Sequence, residues 1–236
     1  MRMPLSHRLI EAEFVERPNR FLSRVRINGE VHDSHVPDPG RLKELLFPGA
    51  RVLVEPKPGT HRKTNYATVM VYAGQELISI NSQLPNAFTR YCLDHSAIPA
   101  FVGWQIKKQE YTLGRSRFDF LLEKDGLEKL VEVKSATLVE EGVVRFPDAV
   151  TSRGRRHVLH LADSITPQRS AAVLFIVQRS DAVSFEPHWE RDPEFAEALR
   201  DSVSRGVELI IYTTQMEPDS MTLLRSIPYQ LEKDHV

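Results

Sequence analysis

Two acidic residues and one lysine in the second half of the chain have the spacing expected of a metal-dependent phosphodiesterase site. Glu132 and Lys134 are two residues apart in an apolar run, so a β-strand places both side chains on one face. The preceding run alternates in the same way and offers Asp119. Two carboxylates on neighbouring strands can hold one hard cation such as Mg²⁺ or Mn²⁺, with waters and phosphate oxygens as further ligands. Asp119 and Glu132 are therefore the predicted metal ligands.

The same three residues have the chemistry that phosphodiester cleavage requires. A bound cation polarises the phosphate and makes a bound water more acidic, while Lys134 can orient that water or stabilise the developing charge. A Glu-x-Lys pair is also common on solvated strands, and Glu55-Pro56-Lys57 has the same spacing without a plausible partner aspartate. The neighbouring Asp119 strand favours the catalytic interpretation, so Asp119, Glu132 and Lys134 are the predicted catalytic residues.

Basic side chains in the first half predict contacts with nucleic acid. Strand alternation over residues 20–27 directs Phe21, Val25 and Ile27 inward and the arginines outward, where they would form a track for phosphates. A solvated outer face is the alternative for each of them. The outward residues are Arg20, Arg24 and Arg26. Further candidates on loops are His35, Arg41, Arg62 and Lys63.

A predicted helix starting near Ser152 offers another seat for a phosphate. Free N–H groups at a helix N-terminus attract anions, and basic residues crowd this one. Arg153 and His157 are four residues apart and share a face that could look toward the metal. In the alternative interpretation His157 packs under the sheet and the arginines pair with surface carboxylates. Asp148 is either a third acidic ligand or a turn residue.

Short strands separated by turns predict an OB-type barrel over residues 1–84. Six β-like runs lie between residues 9 and 80, and Asn28-Gly29 and Gly74-Gln75 are typical tight hairpin turns. Residues 39–46, between the third and fourth strands, predict one or two helical turns. Several strands with one short helix between the third and fourth indicate the OB type.

Residues 85–236 predict a mixed-sheet α/β domain. The elements follow the order α-β-β-β-α-β, and a further helix has Asp192 as its N-cap and Gly206 at its end, followed by a strand. Apolar runs such as 173–177 are typical of strands covered on both sides. The chain as a whole is therefore predicted to be a two-domain protein of the α+β or α/β class.

Composition excludes some classes of protein and leaves others open. The net charge is −1 and Cys92 is the single cysteine, so an internal disulfide is excluded. Residues 1–84 hold 12 Lys/Arg and 9 Asp/Glu, and residues 85–236 hold 19 and 23, an asymmetry too modest to indicate nucleic acid by itself. The longest apolar run, 171–177, is too short to span a bilayer, and residues 1–10 lack a secretory signal. We expect a cytoplasmic protein without a membrane partner; the oligomeric state stays open, a dimer included.

Several motifs follow one another along nearly the whole chain. They are Arg17-Pro18-Asn19-Arg20-Phe21, residues 35–42 and 44–46, Arg62-Lys63-Thr64, Pro85-Asn86, residues 116–120, 131–134 and 146–149, Thr151, Arg153-Gly154 and His157. Taken together, these residues resemble the sugar fermentation stimulation protein A family. The resemblance implies an N-terminal OB-type domain, a C-terminal domain like the PD-(D/E)xK nucleases, binding of DNA and a role in regulating sugar metabolism. Pro147-Asp148 follows the Glu-x-Lys strand, so Asp119 takes the position of the upstream acid.

These observations leave two functional hypotheses that both require nucleic acid, and DNA is the expected partner. The first is a DNA-binding protein with a Mg²⁺- or Mn²⁺-dependent nuclease site. The second is a non-catalytic DNA-binding regulator of sugar metabolism that retains a nuclease-like fold, since members of that superfamily also persist as binding modules. A sugar-metabolism enzyme is a third reading, disfavoured because the sequence has no phosphate-cradling glycine loop and no nucleophile elbow.

Overall fold

A computed structural model describes residues 1–5, 8–38, 40–57, 59 and 63–233. Strands dominate its first third, and helices are interspersed among strands in the rest. In chain order the elements are β1 (Arg2–Pro4), β2 (Ile10–Asn19), β3 (Leu22–Ile27), β4 (Glu30–His35), β5 (Arg51–Pro56), β6 (Tyr66–Ala73), β7 (Glu76–Ser79), α1 (Leu84–Asp94), a 3₁₀ turn (Pro99–Phe101), β8 (Gln105–Leu113), β9 (Ser116–Lys124), β10 (Leu127–Ala136), β11 (Val139–Glu140), β12 (Val143–Phe146), α2 (Ser152–Asp163), β13 (Arg169–Val177), β14 (Ser184–Pro187), α3 (Pro193–Ser204), β15 (Glu208–Glu217) and β16 (Ser220–Ser226).

Strands β2 to β6 form a closed five-stranded barrel, which confirms the predicted OB-type domain. The strand order is β4-β3-β2-β5-β6, and a parallel pairing of β4 with β6 closes the circle. Alternate apolar side chains such as Phe14, Val25 and Val52 fill the interior. The Asn28-Gly29 turn has positive φ at both residues, as a two-residue hairpin requires.

Of two local predictions for the barrel, one is confirmed in part and the other is wrong. The one or two helical turns predicted over residues 39–46 are reduced in the described part to a single turn, in which Leu45 N and Leu46 N both donate to Leu42 O; Leu42 itself, with a φ of 50°, is not helical. Phe21 does not point inward, because Arg20 and Phe21 form the β2–β3 turn and Phe21 is 50% exposed. Ser23 is the buried residue instead, bonded to Thr68 and Ser34.

The second half folds around a mixed seven-stranded sheet, which confirms the predicted α/β class. Its order is β1-β16-β15-β13-β10-β9-β8, with β10, β13 and β15 parallel. Helix α1 covers one face through Phe88, and α2 and α3 cover the other through Val158 and Phe195. Asp192 caps α3 by accepting from Phe195 N, as predicted.

The N-terminal strand joins this sheet and not the barrel. β1 pairs with β16, so the predicted first domain, residues 1–84, includes a segment that contributes to the second fold. The barrel also packs against the α1 side of the sheet, where Leu53 and Met70 share a core cluster with Phe88. None of the described helices is long and apolar enough to cross a membrane.

A tight hairpin between β9 and β10 sets the register of the predicted site. Asp125 and Gly126 have φ values of 50° and 79°, and the pairing from Leu127↔Lys124 runs without a shift to Val131↔Phe120. Continuing the register by one residue sets Asp119 beside Glu132. Periodicity and the short turn are therefore sufficient to bring the two acids together.

Candidate metal and nucleic-acid site

The predicted catalytic residues lie together on adjacent strands. Lys134 Nζ is 2.5 Å from Glu132 Oε1. Asp119 Oδ2 accepts a 2.7 Å hydrogen bond from Val133 N, between those two residues. Asp119 Oδ1 accepts from Asn86 Nδ2 of α1 at 2.6 Å. Both oxygens of Asp119 are therefore held, and its carboxylate is fixed in orientation.

Glu132 has one oxygen with two donors and one with none. Its Oε1 lies 2.6 Å from His157 Nδ1 as well as near Lys134. Its Oε2 is buried and has no hydrogen-bond partner among the described residues. Glu132 as a residue is only 5% exposed, and a buried carboxylate oxygen without a partner is costly. A cation coordinated by this oxygen would remove that cost, so the donor set fits a divalent metal ion.

The surroundings shift the pKa values of the two carboxylates, Asp119 and Glu132, in opposite directions. Burial and then the charge of Glu132 raise the pKa of Asp119, against the opposing effects of Val133 N–H, Lys134 and Asn86. Burial also opposes ionisation of Glu132, but the hydrogen bond from His157 and the charge of Lys134 outweigh it and lower the pKa of Glu132. Glu132 is thus the fixed anion of the site, and Asp119 is the acid whose ionisation a bound cation would favour.

His157 does not occupy the predicted position of a nucleic-acid ligand. It lies on the inner face of α2, is 7% exposed, and its ring packs edge-on to that of Phe118. Because an ionised carboxylate only accepts hydrogen bonds, His157 Nδ1 is the donor to Glu132. The α2 face that carries Arg153 and His157 does look toward the acidic pair, as expected, but His157 contacts Glu132 and not the cavity surface. Arg153, one turn earlier, is exposed and lines the cavity beside the site.

A cavity of about 690 Å³ opens over the acidic pair and is lined by both halves of the chain. The barrel contributes Arg20 and the loop around Asp38, and β9 contributes Arg117. Exposed cations thus surround a carboxylate centre, an arrangement suited to a phosphodiester. Its lining residues include Arg20, Asp38, Gly40, Asn86, Arg117, Asp119, Glu132, Lys134, Asp148 and Arg153.

Arg17 organises the barrel side of this cavity. Its guanidinium donates to the carbonyl oxygens of Gly40 at 2.8 Å, Arg41 at 2.7 Å, Arg20 at 2.6 Å and Asp38 at 2.8 Å. One planar fork therefore holds the β2–β3 turn and the loop at residues 38–41 together.

Gly40 lies where that loop meets the second domain. A Cβ on Gly40 would lie 2.6 Å from Asp148 Oδ2 and 2.9 Å from Asp38 Oδ1, so a side chain at this position would require both carboxylates to shift. Asp148 Oδ2 also accepts from Arg41 N at 3.1 Å, which makes it a contact between the two halves. Burial raises the pKa of Asp38. The hydrogen bond from Gly40 N lowers this pKa in part, and the charge of Asp148 raises it further.

The predicted arginine track along β3 is not continuous. Arg24 pairs with Glu16 at 2.5 Å and with Asp33 at 3.4 Å. Arg26 lies 3.9 Å from Glu13. Carboxylates on β2 and β4 thus offset two of the three guanidiniums, because cross-strand neighbours share that outer face. Arg20, in the turn, is separated from them and faces the cavity.

The remaining predicted contacts are divided between two places. His35 and Lys63 line a separate cleft on the barrel with the exposed Phe21. Arg41 is exposed on the loop beside the main cavity. Arg62 lies outside the described residues. The structure therefore brings Arg20 and Arg153 to the cavity over the acidic pair, leaves Arg41 on a loop that contacts Asp148, and places His35 and Lys63 on another surface.

Four residues at the site were not predicted as functional. Asn86, Arg17 and Gly40 belong to motifs that carried the family resemblance, and that membership was the one available signal for them. Asp38 also belongs to such a motif, residues 35–42, but its position close to Asp148 follows only from the folded arrangement of the two halves.

The chain matches two family profiles that together cover most of its length. Residues 15–80 match the profile described as "SfsA N-terminal OB domain". Residues 83–220 match the one described as "Sugar fermentation stimulation protein RE domain". The chain belongs to the sugar fermentation stimulation protein family.

Relatives of the family match nearly end to end. A sugar fermentation stimulation protein homolog of Clostridium botulinum is 39% identical over 97% of this chain and 100% of its own length. One from Clostridium kluyveri is 40% identical over 94% and 97%. The structure of Pyrococcus furiosus SfsA in complex with Ca²⁺ has a TM-score of 0.89 at 29% identity, covering 97% of this chain and 98% of that one. The two-domain arrangement is therefore that of the sugar fermentation stimulation proteins.

Proposed function

We propose that this sugar fermentation stimulation protein is a DNA-binding phosphodiesterase that uses Mg²⁺ or Mn²⁺. The observation that carries the proposal is the buried Glu132 Oε2, which has no partner among the described residues and belongs to a strand that also presents Lys134. The Pyrococcus furiosus relative was solved in complex with Ca²⁺, which supports a divalent cation in this family.

Asp119 and Glu132 are the proposed ligands of the ion. When bound, a divalent cation supplies positive charge to a phosphate oxygen and a more acidic water. Asn86 and Val133 N–H hold Asp119 in place, and His157 holds Glu132. These supporting bonds reduce the rearrangement needed for metal binding, since outer hydrogen bonds orient the ligating groups.

Lys134 is the proposed catalytic cation. Its Nζ is bonded to Glu132 Oε1 and the residue lines the cavity, so it can donate to the attacking water or to a phosphate oxygen. Arg20 and Arg153 line the same cavity from opposite domains, and we assign them to phosphates that flank the scissile bond. One DNA strand would then bind in the cavity between the barrel and the α/β domain.

The experiment incubates the pure chain with labelled single-stranded and duplex DNA, in Mg²⁺, in Mn²⁺ and in chelator. Lys134→Ala should abolish metal-dependent cleavage and leave DNA binding largely intact. Lys57→Ala is the matched control, because Lys57 forms a Glu-x-Lys pair with Glu55 on β5 at the same 2.5 Å. Equal loss of activity in both variants would contradict a specific role for Lys134.

A binding protein without cleavage is the second candidate. Among residues 1–5, 8–38, 40–57, 59 and 63–233, no cluster of three or more His, Cys, Asp or Glu has the geometry of a metal site. Two carboxylates alone hold an ion weakly, which favours an ion that bridges protein and DNA phosphate in a regulator of sugar metabolism genes. Binding without cleavage in any divalent ion would select this candidate, and absence of DNA binding would exclude both.

A further inference from the structure

The β2–β3 turn lies between two concave surfaces. Arg20 lines the cavity over the acidic pair, and Phe21 lines a second cleft on the barrel, of about 610 Å³. Consecutive Cα atoms are about 3.8 Å apart. A nucleic-acid strand that leaves the first cavity beside Arg20 would therefore lie directly next to the second cleft. A single turn thus connects the proposed cleavage site to a separate concavity.

Phe21 is displayed rigidly at this second cleft. Its N–H donates to Asn19 Oδ1 at 3.0 Å. Its carbonyl accepts from Val36 N at 3.0 Å and from His35 Nδ1 at 3.1 Å. Phe21 is 50% exposed although its backbone is held by hydrogen bonds on both sides. An exposed aromatic ring on a fixed backbone is a stacking surface that loses little conformational entropy when a ligand binds.

The polar groups around the ring fit a nucleotide. Lys63 is exposed and can meet a phosphate, and Thr64 and the Asn19 amide can bond to a base edge. Asp33 also lines the cleft, but its carboxylate lies 3.4 Å from Arg24 Nε, which offsets its charge. One aromatic face, a lysine with no ion pair among the described residues and a few mixed donors and acceptors make a binding site for any base.

We propose that the Phe21 cleft binds an unpaired nucleobase of the DNA strand whose backbone passes over Arg20 into the cavity. This inference rests on the proposed function and names its substrate class: DNA with a single-stranded segment next to the scissile phosphate. A base inside a duplex cannot reach the ring, because both of its faces are already stacked. The cleft therefore selects single strands, overhangs or junctions over continuous duplex.

The test measures binding in chelator, so that it does not depend on cleavage. Phe21→Ala should weaken binding of an oligo(dT) single strand by roughly 5- to 100-fold, the usual range for one base stacked on an aromatic ring, with little change for duplex DNA. The slope of log affinity against log salt should stay the same. Lys63→Ala should instead lower that slope by about one unit.

Two further variants separate stacking from a general surface effect. Phe21→Trp should preserve single-strand binding, because it keeps an aromatic face. Phe47→Ala is the matched control, since Phe47 is 52% exposed elsewhere on the barrel, and it should bind as the parent does. A strand carrying 2-aminopurine should lose fluorescence on binding to the parent chain but not to Phe21→Ala.

The outcomes distinguish failure of this inference from failure of the proposed function. Unchanged single-strand affinity in Phe21→Ala, in a chain that still binds and cleaves DNA, would overturn the base-binding cleft and leave the nuclease proposal standing. Equal weakening of single-strand and duplex binding would also overturn it. A parent chain that binds no DNA would overturn both.

Discussion

Replacing Glu132 by glutamine separates the structural from the metal-binding role of this residue. In the folded chain Glu132 Oε1 meets Lys134 Nζ at 2.5 Å and His157 Nδ1 at 2.6 Å, and both partner side chains are largely buried. A hydrogen bond to a charged group is about twice as strong as a neutral one, so each loses on the order of 1 kcal/mol with the amide. In chelator the variant should therefore be less stable by roughly 2 kcal/mol, or about 4–8 °C in Tm for a chain of this size.

The metal-dependent effect is measured separately as the rise in Tm when Mn²⁺ replaces chelator. An ion at about 100 times its Kd stabilises the parent chain by roughly 2.7 kcal/mol. Removing even an outer-shell partner typically lowers metal affinity by about 10- to 100-fold, so loss of the ligand itself should eliminate most of this rise and of the cleavage rate. DNA binding in chelator should hold or improve, because one anion has left the cavity.

Glu55→Gln is the control for this experiment, because Glu55 and Lys57 also form a Glu-x-Lys pair at 2.5 Å. It should retain the full Mn²⁺-dependent rise in Tm. The assignment of Glu132 as a ligand is refuted if Glu132→Gln keeps the same Mn²⁺ response and cleavage rate as the parent, whatever its stability in chelator.

Three further predictions follow from the site. Mn²⁺ affinity should rise with pH across the range just above an ordinary aspartate pKa, because burial raises the pKa of Asp119 and only the ionised form binds metal; a pH-independent Kd by titration calorimetry would contradict this. Gly40→Ala should cost about 1–3 kcal/mol in thermal denaturation and reduce cleavage, because its Cβ would lie 2.6 Å from Asp148 Oδ2; parent-like stability would show that the loop adapts. Arg20→Ala and Arg153→Ala should each lower the slope of log DNA affinity against log salt by about one unit. Arg24→Ala should change this slope little, because Arg24 is paired with Glu16. A larger effect for Arg24→Ala than for Arg20→Ala and Arg153→Ala would show that DNA follows the outer face of β3.

Predictions that depend on local periodicity and short turns agree with the structure. Glu132 and Lys134 share a face because side chains alternate along any strand, and Asp119 lies beside Glu132 because a two-residue turn leaves one register. The Asn28-Gly29 hairpin and the Asp192 cap of α3 are equally local. Each of these features involves residues within about twenty positions of one another, so the sequence pattern contains all the information needed.

Predictions about the partner of a particular side chain were less successful, because that partner lies on another strand or helix and the local sequence pattern does not specify it. Alternation treats Phe21 as an inward strand residue, whereas Phe21 belongs to the turn and β3 begins one residue later, at Leu22. His157 was predicted to contact nucleic acid, with packing under the sheet as the alternative, and the way α2 packs on the sheet selects the alternative by burying His157 against Glu132. The sequence shows Arg24 only as a basic residue. In the folded chain its charge is offset, because β2 and β4 place Glu16 and Asp33 beside it.

The sequence by itself therefore determined the acidic pair, its lysine and the two fold classes, since all of these follow from periodicity, turns and motif order along the chain. Only the tertiary structure decided what surrounds the pair. The barrel loop meets the α/β domain through Arg41 N and Asp148, 107 positions apart, and β1 completes a sheet whose other strands come much later in the chain. Such contacts are selected by how whole apolar faces pack together, and no local pattern of residues specifies that choice.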